Sequence, residues 1–95
     1  MTVVRRADVV EAPMSVHDVE SLVSSSAAGA VVTFSGDVRD HDHGRSVAHL
    51  EYEGHPTAAA VLAEGAREVA ERHDVIAIAV LHRVGPLKIG ESALV

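Results

Sequence analysis

The sequence predicts an α+β fold, a mainly antiparallel sheet with two helices in the order β-α-β-β-α-β-β, formed as a single domain over residues 1–95. Three observations predict it. Period-two alternation marks residues 30–39 and 46–53 as strands joined by a short Gly-containing turn, the pattern of an antiparallel hairpin. Apolar residues recur at helical spacing after Ser15 and again after Pro56. The run Asp74-Val75-Ile76-Ala77-Ile78-Ala79-Val80-Leu81 is almost wholly apolar, as a central strand covered on both faces would be.

Residues 3–10 are β-rich and form the first expected strand, which Pro13 ends. Ser15 and Asp18 stand at capping-box spacing, with Asp in the usual Glu place. Val16, Val19, Leu22 and Val23 then share one helical stripe, so a short helix is expected to about Ser25. In the strand at 30–39, alternation puts Val32, Phe34, Gly36 and Val38 on the core side and leaves Arg39 on the more polar face. Asp40-His41-Asp42-His43-Gly44-Arg45 forms the polar turn. After Gly54-His55-Pro56, a helix to about His73 has Ala58, Leu62, Ala66 and Val69 on its stripe. Arg67–Glu71 and Glu68–Arg72 stand at i,i+4 spacing on its other side. His82 and Arg83 extend the central strand, Gly85-Pro86 opens a loop through Lys88 and Gly90, and residues 91–95 begin another strand. Ser92-Ala93-Leu94-Val95 stops without a turn residue or polar tail, as expected of the first two thirds of a longer domain.

At 95 residues there is room for one modest core, built from Val, Ala, Leu and Ile because the chain has one Phe, one Tyr and no Trp. Fourteen acidic against eight basic residues give a net charge of −6, which argues against a general nucleic-acid binder. With no cysteine there are no disulfides, thiolate metal sites or Cys nucleophiles, and any sulfur handled must come on another molecule. No apolar run approaches the roughly 20 residues that span a bilayer. No apolar segment follows Arg5-Arg6, so the expected location is cytoplasmic, with no membrane partner.

Three blocks carry a family resemblance. They are Gly29-Ala30-Val31-Val32-Thr33-Phe34-Ser35-Gly36-Asp37-Val38-Arg39, then Leu50-Glu51-Tyr52-Glu53 before the Pro56 helix, then His82-Arg83-Val84-Gly85-Pro86-Leu87-Lys88-Ile89-Gly90-Glu91. In order and spacing they resemble the large subunit of molybdopterin synthase, over essentially all of this chain. The resemblance implies the α/β-hammerhead-type fold of that family and a sulfur transferase of molybdenum cofactor biosynthesis. Such an enzyme inserts sulfur into cyclic pyranopterin monophosphate to make molybdopterin. It also implies the partners: a small ubiquitin-like sulfur-carrier subunit with a C-terminal Gly-Gly thiocarboxylate, and a second large subunit in a homodimer carrying one small subunit at each end. No resident cofactor or metal is implied. The absence of cysteine fits a scaffold whose sulfur belongs to its partner.

Arg39 matches the arginine that ends the Phe-x-Gly-x-Val-Arg motif, and a guanidinium suits fork-like recognition of phosphate or carboxylate. The blander reading is an exposed strand-end arginine paired with Asp37 or Asp40. Phe34 is expected in the core beneath the Arg39 strand, and with Arg45 it completes the candidate substrate-binding set of Arg39, Phe34 and Arg45. His41 and His43 suit zinc or nickel, but no second cluster supplies four ligands, and a solvated hairpin tip is the preferred reading. His82 and Arg83, adjacent on a strand, must point to opposite faces, one bonded structurally and the other toward solvent or an interface. Lys88, a surface charge or part of a basic rim, is the chain's only lysine. The family's two active-site lysines, its second His-Arg pair and its Pro-x-Trp-Lys segment fall beyond Val95, so the catalytic residues are unassigned. The alternative is a non-catalytic truncated relative acting as a binding or oligomerisation module.

Overall fold

The computed structural model describes residues 3–39, 41–42, 45–46, 49–52 and 54–95, and for residues 41–52 it describes backbone only. The first strand, β1 (Val4–Val10), is followed by a short helix, α1 (Val16–Ser21). Ser15 caps α1 as its spacing predicts: the hydroxyl accepts the Asp18 N–H at 3.4 Å, which satisfies one of the orphan donors of the first turn. Short strands follow: β2 (Gly36–Asp37), β3 (His41–Asp42), β4 (Arg45–Ser46) and β5 (His49–Tyr52). The long helix α2 (Ala58–Arg72) then leads to β6 (Ile78–Arg83), β7 (Gly85–Lys88) and β8 (Ser92–Leu94).

The main sheet has the order β1-β6-β8-β2. β6 runs parallel to β1, while β8 is antiparallel to both β6 and β2, so the sheet is mixed. Two further ladders, β3 with β4 and β5 with β7, are antiparallel. The α+β class, the two helices and the mainly antiparallel pairing stand as the sequence predicts. α2 lies mainly against β1, presenting buried Ala66, and Glu68–Arg72 forms at 2.6 Å on its exposed side. Val69, expected on the buried stripe, is exposed. The α1 face of the sheet closes over Val19, Leu81 and Val95, with Val10, Met14, Val16, Leu22 and Ala79 packed around them. A second small core joins Val38, Leu87 and Ala93.

Four expectations need correction. The strand at 30–39 narrows to Gly36–Asp37, because β8 pairs with it only there (Gly36 with Leu94, Asp37 with Ser92), and residues 30–35 have no ladder partner among the described residues. A strand without a neighbour has nowhere to place its N–H and C=O groups except water. Residues 49–52 do not return against 30–39; β5 pairs instead with β7, and among the described residues the hairpin is confined to β3 and β4. The loop expected from Gly85 is therefore strand β7. Pro86, opposite Glu51, is tolerated because β7 has only one paired side in that ladder. The central strand also starts late: residues 74–77 lie outside β6, which runs on through His82 and Arg83.

Candidate functional site

Arg39 is exposed and follows a residue fixed on every side. Val38 is buried against Leu87 and Ala93. Its N–H donates to the Glu91 carbonyl at 2.9 Å, and its own carbonyl accepts the Gly90 N–H at 2.8 Å. Gly90 has φ +86°, a left-handed turn conformation that favours glycine, and this is what lets the turn at 89–90 fold back onto Val38. Two residues before Arg39, the Asp37 carboxylate accepts hydroxyls from Ser35 at 2.6 Å and Ser92 at 3.0 Å. Those two donors, Ser35 first, hold its carboxyl below the usual carboxylate range. The Asp37 carboxylate is thus taken up by serines, while Asp40, the other partner expected for Arg39, lies outside the described residues.

The same turn holds a half-buried ion pair that sequence reasoning missed. Arg83 is 6 % exposed, and its guanidinium donates to the Glu91 carboxylate and, at 3.0 Å, to the Pro86 carbonyl. The other Glu91 oxygen accepts the Lys88 N–H at 2.6 Å. These donors, the Lys88 amide first and Arg83 second, hold the Glu91 carboxyl below its ordinary value. The signal was available: an arginine inside a buried strand needs a carboxylate, and Glu91 ends the Gly-containing turn that follows it. His82, on the opposite side of β6, donates from Nδ1 to the Ala93 carbonyl at 2.9 Å, since a carbonyl can only accept. The opposite-face expectation stands. Both members are engaged within the fold, so Arg83 corrects the expectation that one would meet solvent or an interface.

Phe34 does not lie in the core; it is 68 % exposed, and Val32 on the same expected face is 96 % exposed. The cause is the missing ladder at 30–35, which leaves that face uncovered. Phe34 instead lines an open groove of about 410 Å³ between Val19 and Val23, the 28–34 segment and the 74–79 segment. Arg39 is not among the residues that line it. Arg45 is placed in β4 opposite Asp42, and its side chain, like those of His41 and Asp42, lies outside the described residues, as does His43 entirely. Lys88 is exposed on β7, and its backbone, through Glu91, contributes to the turn. Among the described residues no three His, Asp or Glu side chains converge as a metal site.

The family profile described as "MoaE protein" matches residues 9–95. Over 91 residues the chain is 35 % identical to the molybdopterin synthase catalytic subunit of Bacillus subtilis (strain 168), covering 95 % of this chain and 58 % of that protein. It is 37 % identical over 84 residues to molybdopterin synthase catalytic subunit 1 of Mycobacterium tuberculosis, covering 87 % of this chain and 57 % of that one. The crystal structure of molybdopterin synthase from Staphylococcus aureus superposes with a TM-score of 0.78 at 30 % identity, over 93 % of this chain and 65 % of that one. The chain thus spans a little under three fifths of the length of these curated relatives. Profile, relatives and superposed fold agree with the three sequence blocks, and the chain belongs to the MoaE protein family.

Proposed function

We propose that this chain supplies the anion-holding part of the large, catalytic subunit of a molybdopterin synthase. In this reading it binds cyclic pyranopterin monophosphate beside the thiocarboxylate tail of a small sulfur-carrier subunit, in the cytoplasm, within a dimer of large subunits. The observation that carries the reading is Arg39. It is an exposed residue that follows Val38, whose backbone is held by two main-chain bonds, so its side chain leaves the fold from a fixed point, as recognition of an anion requires. Sulfur arrives on the partner, consistent with a chain that has no cysteine.

Calorimetric titration of the 95-residue chain with cyclic pyranopterin monophosphate tests the reading. A charge-assisted contact makes Arg39→Ala bind about 10- to 100-fold more weakly. Equal affinity of the two proteins rejects the role of Arg39. The second reading is a binding module without turnover, in which Lys88, exposed on β7, is a surface charge. Molybdopterin formed by this chain with a thiocarboxylated small subunit excludes that second reading. Binding without product supports it.

A further inference from the structure

The ion pair beneath Arg39 has no part in the function proposed above, yet it is joined to Arg39 by an unbroken series of bonds. Arg83, at the end of β6, holds the Glu91 carboxylate and the Pro86 carbonyl. Glu91 in turn holds the Lys88 N–H, which closes the 88–91 turn on itself. Gly90 and Glu91 of that turn make both main-chain bonds to Val38, and Arg39 is the next residue. His82 is outside this path, because its ring fastens β6 to Ala93 of β8.

Only the Arg83 half of the pair is buried, and an ion pair that takes a guanidinium out of water is a poor device for stability alone, since apolar residues of similar volume often replace one at no loss. What it does supply is direction: the two Arg83 amino groups tie one Glu91 oxygen and the Pro86 carbonyl to the end of β6, and the other Glu91 oxygen holds the Lys88 amide and so the turn. We infer that Arg83 and Glu91 are positioning residues, which set the place from which Arg39 meets the anionic group of the ligand. The inference rests on the reading of Arg39 as the anion-binding residue. Neither Arg83 nor Glu91 touches the ligand; both act through Val38.

The test is a double-mutant cycle on binding of cyclic pyranopterin monophosphate, combining Glu91→Gln with Arg39→Ala. Glu91→Gln keeps the shape of the side chain and an acceptor for the Lys88 amide but removes the charge facing Arg83. It is expected to weaken binding about 10-fold in the Arg39 background, the scale of a misplaced binding group. It should cause no further loss once Arg39 is alanine. In the same variant the Val38 and Gly90 amides exchange faster with solvent. A merely structural role weakens both backgrounds alike, and that result overturns the inference. So does Glu91→Gln binding with wild-type affinity while Arg39→Ala is impaired. Wild-type affinity in Arg39→Ala overturns the reading of Arg39 and this inference together. Should Glu91→Gln fail to fold, Arg83→Met combined with Glu91→Leu leaves no charge buried alone and is read by the same cycle.

Discussion

Asp37 lies two residues before Arg39, Glu91 accepts the Val38 N–H on its carbonyl, and both carboxyls are held below their ordinary range. In Glu91 the Lys88 amide and then Arg83 are responsible; in Asp37, the Ser35 and Ser92 hydroxyls. A group whose pKa is lower in the folded than in the unfolded chain gives stability that is complete above the unfolded value, about 4. That stability is lost as pH falls through the lowered folded value. Urea unfolding between pH 3 and 7 is therefore expected to show a shallower acid decline for Glu91→Gln and for Asp37→Asn than for the wild type. An unchanged slope contradicts the hydrogen bonds assigned to these carboxylates. At this scale the sequence was legible where chemistry is local. Arg39 could be picked out from its motif, and the opposite faces of His82 and Arg83 follow from strand alternation alone. The Arg83–Glu91 pair was not legible as a contact, because it depends on how the turn at 89–90 closes. Phe34 was misplaced for a similar reason: alternation says which residues share a face but not whether anything covers that face.

Elements with their own boundary signals came out close to the reading. Ser15 starts α1 and Pro56 precedes α2, which ends at Arg72 against an expected end near His73. Elements that depend on a distant partner did not. Residues 30–35 alternate as well as any strand in the chain, yet a strand is completed only by a neighbour's hydrogen bonds, and β8 pairs only with Gly36 and Asp37. Gly85 and Pro86 predict a loop where β7 runs, and only β5 opposite it makes it a strand. β6 gives a sharp test of this account. Ile78 N–H donates to Val3 and Val84 N–H to Val10, so the even-numbered amides bond β1, and Leu81, an odd-numbered one, exchanges both of its bonds with Val95. Ala79 turns its N–H the same way as Leu81, toward the groove that Phe34 lines, and has no backbone partner there among the described residues. Hydrogen exchange is expected to be slow at Leu81 and Val80 and much faster at Ala79. Equal protection of Ala79 and Leu81 shows that the groove is closed.

The molecule as a whole is less buried than its mass suggests. Its accessible surface is 6690 Å², against about 5,200 Å² for a folded monomer of this mass. Its radius of gyration is 14.6 Å, against about 12.4 Å for a compact chain of this length. Part of the difference is apolar: Val31, Val32 and Phe34 on one wall of the groove and Val75 and Ile76 on the other are all exposed. Among the described residues the buried apolar side chains gather in two small cores, around Leu81 and around Leu87, the latter 0 % exposed. The two kinds of apolar residue should separate on substitution. Leu87→Ala leaves a cavity where Val38 and Ala93 meet and is expected to cost about 2–5 kcal/mol in urea unfolding. Val32→Ser and Phe34→Ser remove side chains that already face water and should change stability by no more than about 0.5 kcal/mol. The same two serine variants should lower the fluorescence of a bound apolar dye such as ANS, because the groove wall they form is what the dye meets. A loss of several kcal/mol in Phe34→Ser would place that ring in a core, restore the face that alternation predicted, and show that 30–35 is paired after all.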